Sequence, residues 1–138
     1  MYIGDVNADG RDDIILHRGN VFSFDTSHNG VTPDKSYTFG QASDQVYIGD
    51  VDADGRDDII LRRSATFSFD TAHNGGTPDK SYVFGQASDQ VYVGDVNGGG
   101  RDDIILRSGN VFSFDTAHNG VNADSSYTFG LAGDTVEP

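Results

Sequence analysis

Asp5-Val6-Asn7-Ala8-Asp9-Gly10-Arg11-Asp12-Asp13 returns as Asp50-Val51-Asp52-Ala53-Asp54-Gly55-Arg56-Asp57-Asp58 and again as Asp95-Val96-Asn97-Gly98-Gly99-Gly100-Arg101-Asp102-Asp103. In the first two loops oxygen-bearing side chains stand at positions 1, 3, 5 and 9, with glycine at position 6; in the third, Gly99 leaves position 5 without an oxygen. A hard cation such as calcium takes six to eight oxygen ligands gathered about a tight turn, and this order of residues supplies them. The loop is not an EF-hand. Its twelfth position is Leu16, Leu61 or Leu106 where that motif needs a bidentate Glu, and its flanks read as strands.

The recurrence reaches far beyond the loop. Residues 1–45 and 46–90 differ at nine positions and match at the other 36, while the third copy, 91–135, has drifted further. The ends keep phase: Met1 takes the place of Val46 and Val91, and Val136 opens a fourth copy. Such phasing points to an excised or engineered unit. A fixed period of this length is the signature of propellers and solenoids.

Each repeat holds four short apolar segments, which in the second copy are Val46–Gly49, Asp58–Arg62, Thr66–Asp70 and Ser81–Gly85. Phe67 and Phe69 alternate with Ser68, a period of two. Ile59-Ile60-Leu61 is a continuous apolar run of strand length, as expected where both faces of a strand are covered. Turn residues separate the segments, and no stretch has helical periodicity. The expected fold is therefore all-β, with one four-stranded antiparallel propeller blade per 45-residue repeat and residues 1–138 forming a single three-blade unit.

Ile3-Gly-Asp-Val-Asn-Ala-Asp-Gly-Arg-Asp-Asp-Ile14, closed by Tyr37-Thr38-Phe39-Gly40, resembles an FG-GAP or VCBS-type repeat. The resemblance covers almost the whole chain. It implies blades of the integrin-like calcium-binding kind, and an extracellular parent protein, since such repeats occur in secreted bacterial proteins, often beside polysaccharide-acting domains. Carried over by position, the calcium ligands would be Asp5, Asn7, Asp9 and Asp13, then Asp50, Asp52, Asp54 and Asp58, then Asp95, Asn97 and Asp103. The backbone carbonyls of Arg11, Arg56 and Arg101 would add a further oxygen to each.

Closed propellers have four to eight blades, so three do not close a ring. Two chains joined head to tail give six blades, and this heterologous contact must close to avoid filaments. A homodimer is the expected assembly.

The net charge is −13. Carboxylates crowded into three loops repel one another until a cation neutralises them. The same charge argues against nucleic acid and anionic membranes as partners, and no apolar stretch is long enough to insert in a bilayer. There is no cysteine, so disulfides do not staple the fold, and no signal peptide is present. No nucleophile-and-base signature or phosphate-binding glycine loop is found, so the chain reads as non-enzymatic. Two functional readings follow. One is a calcium-stabilised module that binds extracellular glycan or protein. The other is an engineered or structural self-assembling propeller with no ligand beyond calcium.

The remaining repeated residues have plainer expectations. Asp12, Asp57 and Asp102, at position 8, should pair with arginine or cap the turn. Arg11, Arg56 and Arg101 should pair with neighbouring aspartates. His28, His73 and His118 read as part of a turn, and His17 as a surface residue. Phe22, Phe24, Phe39 and Tyr37 and their copies read as core between blades, while Tyr2, Tyr47 and Tyr92 either line a channel or pack.

Overall fold

The computed structural model describes residues 1–120 and 122–135, so the fourth-copy start at Val136 lies outside the described residues. Among the described residues twelve strands form three separate four-stranded antiparallel sheets, in the orders β1-β2-β3-β4, β5-β6-β7-β8 and β9-β10-β11-β12. The strands are β1 (Tyr2–Gly4), β2 (Asp13–Arg18), β3 (Val21–Asp25), β4 (Lys35–Thr38), β5 (Gln45–Gly49), β6 (Asp58–Arg63), β7 (Thr66–Asp70), β8 (Lys80–Val83), β9 (Gln90–Gly94), β10 (Asp103–Ser108), β11 (Val111–Asp115) and β12 (Ser125–Thr128). Each Asp-rich loop joins the first strand of a sheet to its second. The closest approaches between sheets are those of the first strands, β1 to β5 and β5 to β9, which places these strands innermost.

The fourth strand is shorter than its sequence suggests. It ends at Val83 where the pattern predicts Gly85. The Phe84 amide donates to the Ala65 carbonyl (2.9 Å), and Gly85 then turns the chain with φ of 70°. Phe84 is nonetheless buried, so its apolar character reports on core packing rather than on strand pairing.

The core lies between sheets. Val6, Ile15, Phe22, Phe24 and Phe39 of the first repeat pack on Val46, Ile59 and Leu61 of the second. Val51, Ile60, Phe67, Phe69 and Phe84 of the second pack on Ile104 and Leu106 of the third. The Ile-Ile-Leu run thus splits: Ile59 and Leu61 face back, and Ile60 faces forward. In β6, which has a sheet on either side, all three are buried. In β2, with a neighbour on one side only, Ile15 is buried but Leu16 is 53% exposed. The leucine inserts over a glycine of the preceding sheet. A Cβ at Gly40 would collide with Leu61 Cδ1, and one at Gly85 with Leu106 Cδ1.

The hairpin between the second and third strands needs a left-handed residue. Gly19 and Gly109 supply it at φ of 65° and 61°, but Ser64 holds the same position at φ of 55°. A side chain with a Cβ costs about 1 kcal/mol there. Ser64→Gly is therefore expected to stabilise the chain by up to about 0.5 kcal/mol, the relief of strain being partly offset by the freer unfolded chain. Urea denaturation at equal slope measures it, and a loss of stability would show that the serine is not strained.

Candidate metal centre

Each Asp-rich loop winds around its first residue. In the second loop Asp50 Oδ1 accepts from the amides of Ala53 (2.7 Å) and Asp54 (3.2 Å), and Oδ2 from Gly55 (3.0 Å). Asp5 and Asp95 gather the amides of Asp9 and Gly10, and of Gly99 and Gly100, in the same way. These amides, Gly100 first, hold the Asp95 carboxyl below the usual carboxylate range.

The ninth residue closes the loop from the sheet. Asp58, fully buried at the start of β6, accepts from the Val51 amide through Oδ2 (2.9 Å). Asp13 and Asp103 do the same with Val6 and Val96 at 3.0 Å. The other oxygen, Oδ1 of Asp13, Asp58 and Asp103, is buried and accepts no hydrogen bond. A buried anionic oxygen with no donor is costly. Burial pushes Asp58 up to about 6, and raises Asp13 as well.

Only in the second loop do three carboxylates converge among the described residues: one oxygen each from Asp50, Asp52 and Asp58 lies within 4.8 Å of the others. Burial, then the charges of Asp54 and Asp50, raises Asp52. Asp54 turns instead to the guanidinium of Arg56, with Nε at 2.9 Å and Nη2 at 2.6 Å, which holds it below its ordinary value. Asp9 is engaged by Arg11 at 3.2 Å, and Asn7 Nδ2 donates to Asp9 at 3.3 Å. In the third loop Gly99 leaves Arg101 without that partner, and its guanidinium donates to the Thr116 carbonyl (3.1 Å). Asn97 there accepts the Gly99 amide (2.7 Å).

Besides Arg101, which was expected to pair with a neighbouring aspartate and binds the Thr116 carbonyl instead, three features differ from the sequence reading. Asp57 and Asp102 neither pair with arginine nor cap their own turn. Each reaches the preceding repeat: Asp57 Oδ2 accepts the Asp5 amide (2.9 Å) while the Asp57 amide donates to the Asp5 carbonyl (2.6 Å). Asp102 grips Asp50 identically, at 3.0 and 2.7 Å. The histidines are more than turn residues. His73 and His118 are buried, with Nε2 at 3.5 and 3.7 Å from Oδ1 of Asp58 and Asp103, and His28 Nε2 stands 3.6 Å from Asp13. Burial, then Arg101, lowers His118. His17 stacks on Phe22, with ring centroids 4.4 Å apart. Its counterparts Arg62 and Arg107 are buried and bind the carbonyls of the segment leading out of their sheet. Phe22, Phe24 and Phe39 lie in the core, and Tyr2 and Tyr47 pack against it.

A second concavity of about 250 Å³ lies between the first two sheets. Phe39, Gly40 and Asp44 form one wall, and Leu61, Arg63, Ser68 and Pro78 stand on the other. Arg63 spans it, donating through Nε and Nη2 to both oxygens of Asp44 at 2.7 Å. Burial alone would raise Asp44, but Arg63 and the Gln41 amide outweigh it and hold the carboxyl low.

No protein-family model matches the chain, and no curated protein sequence matches it. A solved structure does: a lectin of Agrocybe aegerita, described for specific recognition of non-reducing terminal N-acetylglucosamine. The match has a TM-score of 0.61 at 18% identity and covers 91% of this chain and 36% of that one. The likeness is one of fold, and this chain spans about a third of the lectin's length. The chain is all-β, built of three consecutive propeller blades of four antiparallel strands.

Asp58 gives the metal-free chain a defined pH response. Its proton is held in the folded state up to about pH 6 but lost from the unfolded chain near 3.8. That contribution to stability is complete below pH 4 and disappears as pH rises through 6. In metal-free buffer Asp58→Asn is expected to exceed wild type by about 1–3 kcal/mol at pH 7, a gap that closes toward pH 4. Urea denaturation across this range checks it; a gap independent of pH would contradict it.

Proposed function

We propose that the chain is a non-enzymatic, calcium-stabilised propeller module that binds glycan, with its ring completed by a second copy. The glycan reading is carried by the concavity between the first two blades, where an apolar wall stands beside a bidentate Arg63–Asp44 pair. Fixed donors and acceptors beside an apolar surface suit the alternating faces of a sugar. The shared fold with a lectin for terminal N-acetylglucosamine supports the same reading and names the first ligand to try.

Calcium is supported by the converging oxygens of Asp50, Asp52 and Asp58 and by the buried Asp58 oxygen that no donor serves. When bound, the ion would neutralise these carboxylates and fix the loop; Asn7 and Asn97 offer neutral oxygens at the corresponding place in the other loops. Excess calcium is expected to stabilise the fold by about 2.7 kcal/mol per site at a hundred times the dissociation constant, and so to raise the melting temperature over that in a chelator. Identical melting curves would remove calcium from the proposal. The third site, with only Asp95 and Asp103 as carboxylates, should be weakest, because carboxylate count tunes affinity. Gly99→Asp meets only the flexible Asn97 side chain and should tighten that site. Calorimetric titration showing unchanged stoichiometry and affinity would contradict the position-5 assignment.

A ligand-free structural propeller is favoured by a different observation. Phe22, Phe24, Phe67 and Phe69 are spent in the core, and Phe39, the one aromatic residue among the described residues lining the concavity between the first two blades, is itself buried. Binding to immobilised glycans ending in N-acetylglucosamine, at millimolar calcium, separates the two. Arg63→Ala should reduce retention at least tenfold while the chain stays folded. No retention of the wild type on any glycan would leave the structural reading standing.

A further inference from the structure

We propose that two copies of this chain meet head to tail through a defined seam, and that the seam builds from both copies the pocket that one chain already forms between its first two blades. The proposal rests on the six-bladed reading above.

The open face of the first blade carries a concavity of about 580 Å³. Leu16, Arg18, Ser23 and Pro33 line it, one repeat behind Leu61, Arg63, Ser68 and Pro78, which line the second-blade wall of the complete pocket. The cavity is thus the same pocket lacking its opposite wall. That wall is Phe39, Gly40 and Asp44, whose equivalents two repeats on are Phe129, Gly130 and Asp134. All three lie at the open face of the third blade, where Phe129 is 72% exposed.

Four contacts of the internal seams have both halves present and unmet at these ends. Leu61 and Leu106 fill the space over Gly40 and Gly85; the exposed Leu16 is free to fill that over Gly130, where no neighbouring blade reaches. Ile48 and Val93 cover Gly4 and Gly49, whereas Gly94 has nothing within 4 Å and Ile3 is exposed. Asp57 and Asp102 clamp Asp5 and Asp50, which leaves Asp12 as the clamp for Asp95. Arg18 faces outward on the first blade as Asp134 does on the third, the same charges that Arg63 and Asp44 bring together. The seam between the second and third blades lacks this pair, because Ser108 stands where Arg63 would recur. Only the first internal seam and the intermolecular one therefore hold this arginine–aspartate pair: two complete pockets within the chains of a ring and two across them.

Light scattering on the 138-residue chain and on two variants tests this. Leu16→Asp with Arg18→Glu damages the head face, and Phe129→Asp the tail face; these side chains are exposed, so circular dichroism should match wild type. Wild type is expected at twice 14.8 kDa and each variant at half that mass. An equimolar mixture of the two variants should recover the two-chain mass, because one of its seams is wholly wild type. A monomeric wild type, or one of higher mass than two chains, would overturn both the ring and the seam. A wild-type dimer that survives Phe129→Asp, or variants that fail to recover on mixing, would overturn the seam alone and leave the dimer to another surface.

Discussion

A four-stranded sheet with apolar side chains on both faces is not stable in water; it needs a sheet on either side. Everything else in this chain follows from that requirement. The sixth strand shows it satisfied, with Ile59, Ile60 and Leu61 all out of water. The second strand shows it half satisfied with almost the same residues. Burial of one leucine contributes roughly 1.5–3 kcal/mol, so each completed seam is worth several such side chains. Specificity comes from shape: the leucine of one blade occupies the space that a glycine of the preceding blade leaves empty.

The Asp-rich loops belong to the same system. Asp5 and Asp50 each do two things at once: their side chains organise their own loop, and their backbones are gripped by Asp57 and Asp102 of the next. A change in one loop is therefore felt in the alignment of its neighbour without any long chain of intermediates. Partial burial raises Asp57 and Asp102, so the grip is made by carboxylates half withdrawn from water. The loop that lost its position-5 carboxylate also lost strain. Gly98 takes the left-handed place that Ala8 and Ala53 hold at φ of 63° and 64°.

The repeat, the four strands and the loop phase were legible because they rest on local pattern: a period of 45 residues, alternation along strands and turn residues between them. The inward direction of the phenylalanines of the first two blades was legible for the same reason, whereas Phe129, the third-blade copy of Phe39, is exposed because no following sheet covers it. What was hidden depends on distance along the chain. The position-8 aspartate bonds a residue 52 positions away, and nothing in its own loop distinguishes it from its neighbour at position 9. The histidines looked like turn residues because they are, at φ near 55°; only folding brings Nε2 opposite the buried aspartate 15 positions earlier. Nothing in the sequence assigned Arg62 and Arg107 a role, and only the folded chain shows them buried and donating to the Asp89 and Asp134 carbonyls. The repeat itself held a clue to this last case, since His17 breaks the series with another planar donor.

Near-identity between successive repeats has a cost during folding. While the chain is still collapsing, the first blade's open groove meets two nearly equivalent leading edges, that of its own third blade and that of any other nascent chain at high concentration. Contacts that are correct in kind but wrong in partner are held by the same leucine, glycine and aspartate, so local chemistry does little to reject them. The places where the copies have diverged, Arg63 against Ser108 and Ser64 against its glycine counterparts, are then the marks by which one blade is told from another.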